Sequence, residues 1–182
     1  MARGVPDGLG SILVVPSGGG SPRLLQPRVA SARYPIWSPD GERILFLGEE
    51  NTDQKSLDWY LIRRDGTDLI KTGALQTIEA AGLRAGSPIP GAWSGHGNAV
   101  VFATSEADRS NVWQIPISPQ TGRASAGPRR LTFGSAIERS PAVGGSARIV
   151  FTSIVENVDV WRVPVDAHTG VATERSSVSP TA

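Results

Sequence analysis

The sequence predicts an all-β chain: a partial β-propeller of about three and a half four-stranded antiparallel blades. Three observations carry that expectation. Two separate motifs recur in register at a spacing of ~50 residues, which is the period of a blade. Asp-Gly turn signals fall between short apolar runs. The chain of 182 residues also holds 21 glycines and 14 prolines, close to a fifth of the total, a composition of short strands and many turns.

The first motif is Pro35-Ile36-Trp37-Ser38-Pro39-Asp40-Gly41-Glu42-Arg43-Ile44-Leu45-Phe46. It aligns without gaps with the segments from Gly91 to Phe102 and from Ser140 to Phe151, so that Trp37 matches Trp93, and Phe46 matches Phe102 and Phe151. In the third copy Ala142-Val143-Gly144 stands where the first has Trp-Ser-Pro, and in the second His96 stands where the first has Asp40. The second motif reads Asp58-Trp59-Tyr60-Leu61-Ile62-Arg63, then Asn111-Val112-Trp113-Gln114-Ile115-Pro116, then Asp159-Val160-Trp161-Arg162-Val163-Pro164. Ile12-Leu13-Val14-Val15-Pro16 is a lone further copy, which makes Leu13, Tyr60, Trp113 and Trp161 equivalent.

Each unit therefore reads as four strands. One ends at Trp37-Ser38, and Pro39-Asp40-Gly41 turns the chain, with Gly41 free to take a positive φ and Asp40 able to bond nearby backbone. An apolar strand runs from Arg43 to Leu47. A third, around Trp59 to Arg64, ends at Asp65-Gly66, and a fourth covers Asp68 to Thr72. The expected layout is one propeller segment over 1–182, with the second half of a blade at 11–26 and blades at about 33–73, 89–133 and 138–175. The repeated aromatics are expected to be buried, because each can remove ~150–250 Å² from water and so join one sheet to the next. Between Thr72 and Pro88 the period is interrupted; Leu75, Ile78 and Leu83 are helix-spaced, and Gly82 can end a turn or two of helix. That insertion reads either as a variable loop or as part of a partner surface.

Composition narrows the function classes. Hydrophobic residues make up 39% and charged residues 19%, which is neither a disordered nor a membrane composition. The formal net charge is +1, and Arg63-Arg64 and Arg129-Arg130 are too short and scattered for a nucleic-acid face. No apolar stretch approaches the ~20 residues of a membrane span. The first residues lack a basic head and an apolar run, so they do not read as a signal peptide. Absence of cysteine excludes disulfides, thiolate metal sites and a cysteine nucleophile.

Candidate chemistry is sparse. Ala92-Trp93-Ser94-Gly95-His96-Gly97 resembles a nucleophile elbow, but Ala92 and His96 occupy the glycine positions that the strained turn needs, and no helix follows. His96 and His168 fall in different units and read as turn residues rather than metal ligands. Glu49, Glu50 and Asp53 share one loop, and Glu106 and Asp108 the equivalent loop; these carboxylates read as solvated rather than as an acid–base pair. Gly18-Gly19-Gly20 lacks the lysine and helix of a phosphate loop and reads as a hairpin turn. No catalytic, cofactor-binding or metal-binding residues are expected, and no cofactor.

The Trp37-to-Gly41 motif with its trailing Ile44-Leu45-Phe46 resembles the WD40-like (PD40) repeat of TolB-like β-propellers, and Pro128-Arg129-Arg130-Leu131-Thr132 resembles the end of such a repeat. The resemblance runs from about Ser11 to Glu174. It implies a non-catalytic scaffold that binds a protein or peptide, since TolB is a periplasmic partner of an outer-membrane lipoprotein. An alternative it also implies is a sensory or substrate-gating propeller attached to a prolyl-oligopeptidase-like peptidase or a bacterial serine/threonine kinase. The compartment is periplasmic on the first reading if a signal peptide precedes the chain, and cytoplasmic otherwise. Such propellers close with about six blades, so the chain is expected to be part of a larger propeller or to close by self-association through open blade faces.

Overall fold

The structure is a computed structural model, and it describes residues 9–25, 28–50, 56–83, 88–106, 109–145, 148–155 and 165–171. The described residues form twelve short strands and one helix. A first pair, β1 (Ile12–Val14) and β2 (Arg23–Leu25), is antiparallel. A complete antiparallel sheet follows in simple meander order: β3 (Ser31–Trp37), β4 (Arg43–Glu49), β5 (Asp58–Arg63) and β6 (Ile70–Lys71). The helix α1 (Ala74–Ala80) leads into a second meander of β7 (Pro90–Trp93), β8 (Ala99–Glu106), β9 (Arg109–Pro116) and β10 (Arg129–Arg130). A last antiparallel pair, β11 (Ile137–Gly144) and β12 (Arg148–Ile154), touches β9 through one parallel bridge, Ile137 to Ser110. The expected third strand of that unit, 159–164 with Trp161, lies outside the described residues.

The strands follow from pattern and turn chemistry. Asp40 takes hydrogen bonds from the Ser38 hydroxyl at 2.5 Å and the Glu42 amide at 3.0 Å, while Gly41 has φ 69°. Those two features reverse the chain between β3 and β4 without a steric penalty. In β4, Ile44, Leu45, Phe46 and Leu47 are all buried. Such a run makes sense only for a strand covered on both faces. Ile44 and Phe46 join Tyr60 and Ile62 in a core against the first pair, with Ile12 and Leu25. Leu45 and Leu47 point the other way, into a second core with Trp59, Leu61, Trp93, Val100, Phe102 and Ile115. Alternate side chains of one sheet thus serve two different interfaces.

The second core is built around Trp59. Its ring meets Phe102 edge-on, with centroids 5.4 Å apart, and its indole N–H donates to the Pro88 carbonyl at 2.7 Å. That bond satisfies the one polar atom of the ring, so the burial costs no unpaired donor. Ile78, Ala74 and Leu83 of the helical insertion fill the same core. The insertion is therefore a plug between sheets, not a loop without a role, and its buried face is unavailable to a partner.

All three first strands carry an irregularity at one position. The ladder slips between Arg33 and Ile36, between Pro90 and Ala92, and between Arg139 and Ala142. Tyr34 and Ser140 take φ 56° and 52° at these β-bulges, and a Cβ on Gly91 would lie 2.8 Å from the Val101 carbonyl oxygen and 2.9 Å from Pro141. Register then corrects the ungapped alignment. Trp37 pairs with Ile44 and Trp93 with Val100, but it is Val143, not Ala142, that pairs with Ile149. The third hairpin is one residue shorter than the other two.

Burial of the repeated aromatics holds for Phe46, Tyr60, Phe102 and Trp93; Trp113 is half-buried, Trp37 and Phe151 are exposed, and Trp161 lies outside the described residues. Trp93 is 9% exposed against a full sheet and α1, whereas Trp37 is 50% exposed because it overhangs only the two-stranded β1–β2 pair. Phe151 is 39% exposed on the outermost described strand. Replacing Trp59 with alanine should therefore destabilise the chain by ~3–5 kcal/mol, in the range of large aromatic truncations in a core. Trp37→Ala should cost less than ~1 kcal/mol, as for surface positions. Urea unfolding of both variants followed by circular dichroism checks the difference; equal losses would contradict the assignment of Trp59 as the central inter-sheet residue.

Candidate functional site

The residues that sequence marks for chemistry are dispersed and used in turns. Ser94 follows β7; its amide donates to the Ala99 carbonyl at 2.8 Å, and its hydroxyl donates to Asn98 Oδ1 at 3.1 Å. Gly97, with φ 68°, closes the same turn on the Ser94 carbonyl. This is a strand–turn–strand, not a nucleophile elbow. His168 lies in a separate turn in which Asp166 accepts bonds from the His168 and Thr169 amides and the Thr169 hydroxyl. Those bonds, led by the Thr169 amide, hold the Asp166 carboxyl below its usual range. Glu49 pairs with Arg33 at 3.0 Å, while Asp53 and Asp108 and the side chain of Glu106 lie outside what the structure describes. Gly19 closes the β1–β2 hairpin by donating to the Pro16 carbonyl, as a turn and not a phosphate loop. Among the described residues, no three His, Asp or Glu side chains cluster as metal ligands, and no helix is long and apolar enough to cross a membrane.

Two buried carboxylates that the sequence did not single out instead build the junctions between sheets. Asp58, at the head of β5, accepts hydrogen bonds from the amides of Trp59 (2.7 Å), Gly73 (2.9 Å) and Leu75 (3.1 Å). Gly73 is the N-cap of α1 and has no side chain to offer, so Asp58 caps the helix from the neighbouring strand. Burial raises its pKa, and the three backbone donors oppose that rise. At the next junction Glu138 of β11 does related work. It accepts from the Val112 amide at 3.2 Å, from the Asn111 side-chain amide at 3.4 Å and from the Thr132 hydroxyl. Arg130 donates to Asn111 Oδ1 and to the Thr132 carbonyl, and its guanidinium lies over both Trp113 and Phe133. The signal for Asp58 was present: a short polar residue, Asp58, Asn111 or Asp159, heads each of the three full copies of the second motif. Glu138 had no such marker.

What remains open to a ligand is a set of grooves between sheets. One has a volume of about 560 Å³ and lies between the β7–β10 sheet and the β11–β12 pair. Its walls are Val101, Val143 and Ile149, with Gln114 and His96 at the polar side and the bare backbone of Gly144 and Gly145. It is wide because Val143 occupies the register position where the other units carry tryptophan. The equivalent groove beside β1 holds about 190 Å³ and is lined by Leu13, Val15 and Trp37. These grooves are apolar, open, and made by neighbouring sheets rather than by one loop.

Fold and surface together define a β-propeller segment. No family model and no curated protein sequence matches the chain. Among solved structures it is similar to the putative TolB from Agrobacterium tumefaciens, at 22% identity over 89% of this chain and 52% of that one, with a TM-score of 0.60. It is also similar to TolB from Acinetobacter baumannii, at 17% identity over 88% of this chain and 47% of that one, with a TM-score of 0.40. The chain spans about half the length of these structures. The likeness to the Agrobacterium protein shows a TolB-like propeller fold.

The raised pKa of Asp58 sets a pH dependence. A carboxyl whose folded pKa exceeds its unfolded value of ~3.9 stabilises the fold when protonated. That contribution is complete below the unfolded pKa and is lost as pH rises through the folded one. The wild-type chain should therefore lose stability relative to Asp58→Asn between pH ~4 and neutrality. Urea midpoints of both proteins at several pH values test this; a gap that is constant or that grows in favour of the wild type would refute the assignment.

Proposed function

We propose that the chain is a non-catalytic β-propeller scaffold that docks a protein or peptide, as TolB does, and that it works as part of a larger propeller. The observation that carries this reading is the 560 Å³ groove, whose apolar walls and polar margin suit an apolar side chain presented by a partner. Exposed Leu13, Val15, Trp37 and Phe133 support it, since large apolar side chains left at the surface mark contact regions. The engagement of Ser94 and His168 in turns speaks against the alternative in which this segment itself performs hydrolysis. With a TolB-like role the compartment is the periplasm and the partner an outer-membrane lipoprotein. With an attached peptidase or kinase the partner is that enzyme.

Titration calorimetry of the chain with the soluble domain of such a lipoprotein tests the reading. The expected result is saturable binding with Kd on the order of 1 µM, about −8 kcal/mol. Val143→Asp, which puts a charge on the groove wall, should weaken it at least ~10-fold, or ~1.4 kcal/mol. Absence of binding to that domain, or peptidase turnover that Ser94→Ala abolishes, would overturn the proposal.

A further inference from the structure

A second pocket, of about 290 Å³, lies at the other end of the same pair of sheets, between β7, the end of β8 and β11. Its chemistry is unlike that of the apolar groove. Apolar Pro88, Ile89 and Pro141 line it together with the polar Ser105, Ser140 and Arg139. Pockets that take whole small molecules run from ~300 to 1,000 Å³, so this one has room for about one amino-acid side chain.

Comparison of the repeats within the chain explains the charge. Arg33 and Arg139 stand at the same place, one residue before the positive-φ residue of the first-strand bulge. Arg33 pairs with Glu49 of the adjacent strand at 3.0 Å. In the third unit the last residue of the corresponding strand is Ile154, and among the described residues Arg139 has no hydrogen-bond or ion-pair partner. The arginine is retained while the strand position of its acid holds isoleucine. Ser105 also lines the pocket, and among the described residues its hydroxyl has no partner. The wall also includes Thr104, whose buried hydroxyl has no hydrogen-bond partner. An arginine fork with nearby hydroxyl donors suits a planar carboxylate.

We propose that this pocket binds a carboxylate of the docked partner, with Arg139 forming the ion pair and Ser105 donating a hydrogen bond. The proposal rests on the docking role argued above and names the chemistry of the contact: an acidic side chain or a chain-terminal carboxylate, its aliphatic part lying along Ile89 and Pro141. Ser140, at the bulge of the first strand with φ 52°, is part of the lining.

Two-dimensional ¹⁵N–¹H NMR of the full chain provides the test. The probes are N-acetyl-glutamate α-amide for a side-chain carboxylate, N-acetyl-alanyl-leucine for a terminal one, N-acetyl-glutamine α-amide as the uncharged control, and inorganic phosphate. A carboxylate probe should shift the amides of Ser105, Arg139 and Ser140 saturably at millimolar concentrations, and the more effective of the two names the source. The glutamine analogue should shift them at least ~10-fold less, and Arg139→Gln, checked for native peak dispersion, should abolish the effect. Ser105→Asp, which supplies a carboxylate from the wall itself, should block the probes independently of any loss of fold in the first variant. Equal shifts with the glutamine analogue, response to phosphate alone, unchanged response in Arg139→Gln, or no shift with any probe would each overturn the proposal. If these probes fail while Val143→Asp still weakens partner binding, the carboxylate pocket falls and the docking role stands.

Discussion

The β3–β6 sheet is covered on both faces, and that constraint organises the rest. A short four-stranded meander cannot bury enough surface alone. The chain answers with strands such as β4 and β5, in which consecutive residues are apolar and feed opposite interfaces. Phe46 stacks on Tyr60 on one side, and Trp59 meets Phe102 edge-on across the other. The helical insertion, the capping carboxylate at Asp58 and the bulged first strands are all means of bringing one sheet close enough to the next for those contacts to form.

Much of this was legible in the sequence because it is local and repeated. The Asp40-Gly41 and Asp65-Gly66 turns, the apolar second strand and the helix spacing of Leu75, Ile78 and Leu83 each reflect short-range chemistry. What escaped was set by neighbours in space. Trp59 lies one residue from the aligned aromatic column, and only the pairing of sheets shows that its side faces the second core. Ungapped alignment placed Ala142 opposite Trp37, whereas the register selects Val143, because a hairpin shortened by one residue leaves no trace in apolar pattern. Trp37 itself belongs to the aromatic column yet stays half in water, since burial depends on the extent of the facing sheet and not on the residue.

The grooves follow the same logic. Where units repeat faithfully, aromatic side chains close the gap between sheets. Where they diverge, an opening appears. Val143 in the tryptophan position leaves the large apolar groove, and Ile154 takes the strand position that in the first unit holds the acid paired with arginine. Departures from the repeat therefore locate the surface features that distinguish this chain from an anonymous stack of blades. Among the described residues, Ser94 and His168 are each engaged in a turn, and the two turns belong to separate units.

The capping of α1 from β5 has a mechanical consequence. Asp58 binds the first sheet to the helix, and the Ala124 amide in the loop after β9 donates to the Thr72 carbonyl just before it, at 2.8 Å. The linker is thus gripped by both of the sheets it connects. Melting the helix would expose Trp59 and release both grips together, so neither sheet can open without loosening the other. Amides of β5 and β9 then belong to one cooperative opening unit, and a tug applied to one blade is shared by its neighbour instead of being absorbed in a slack connection.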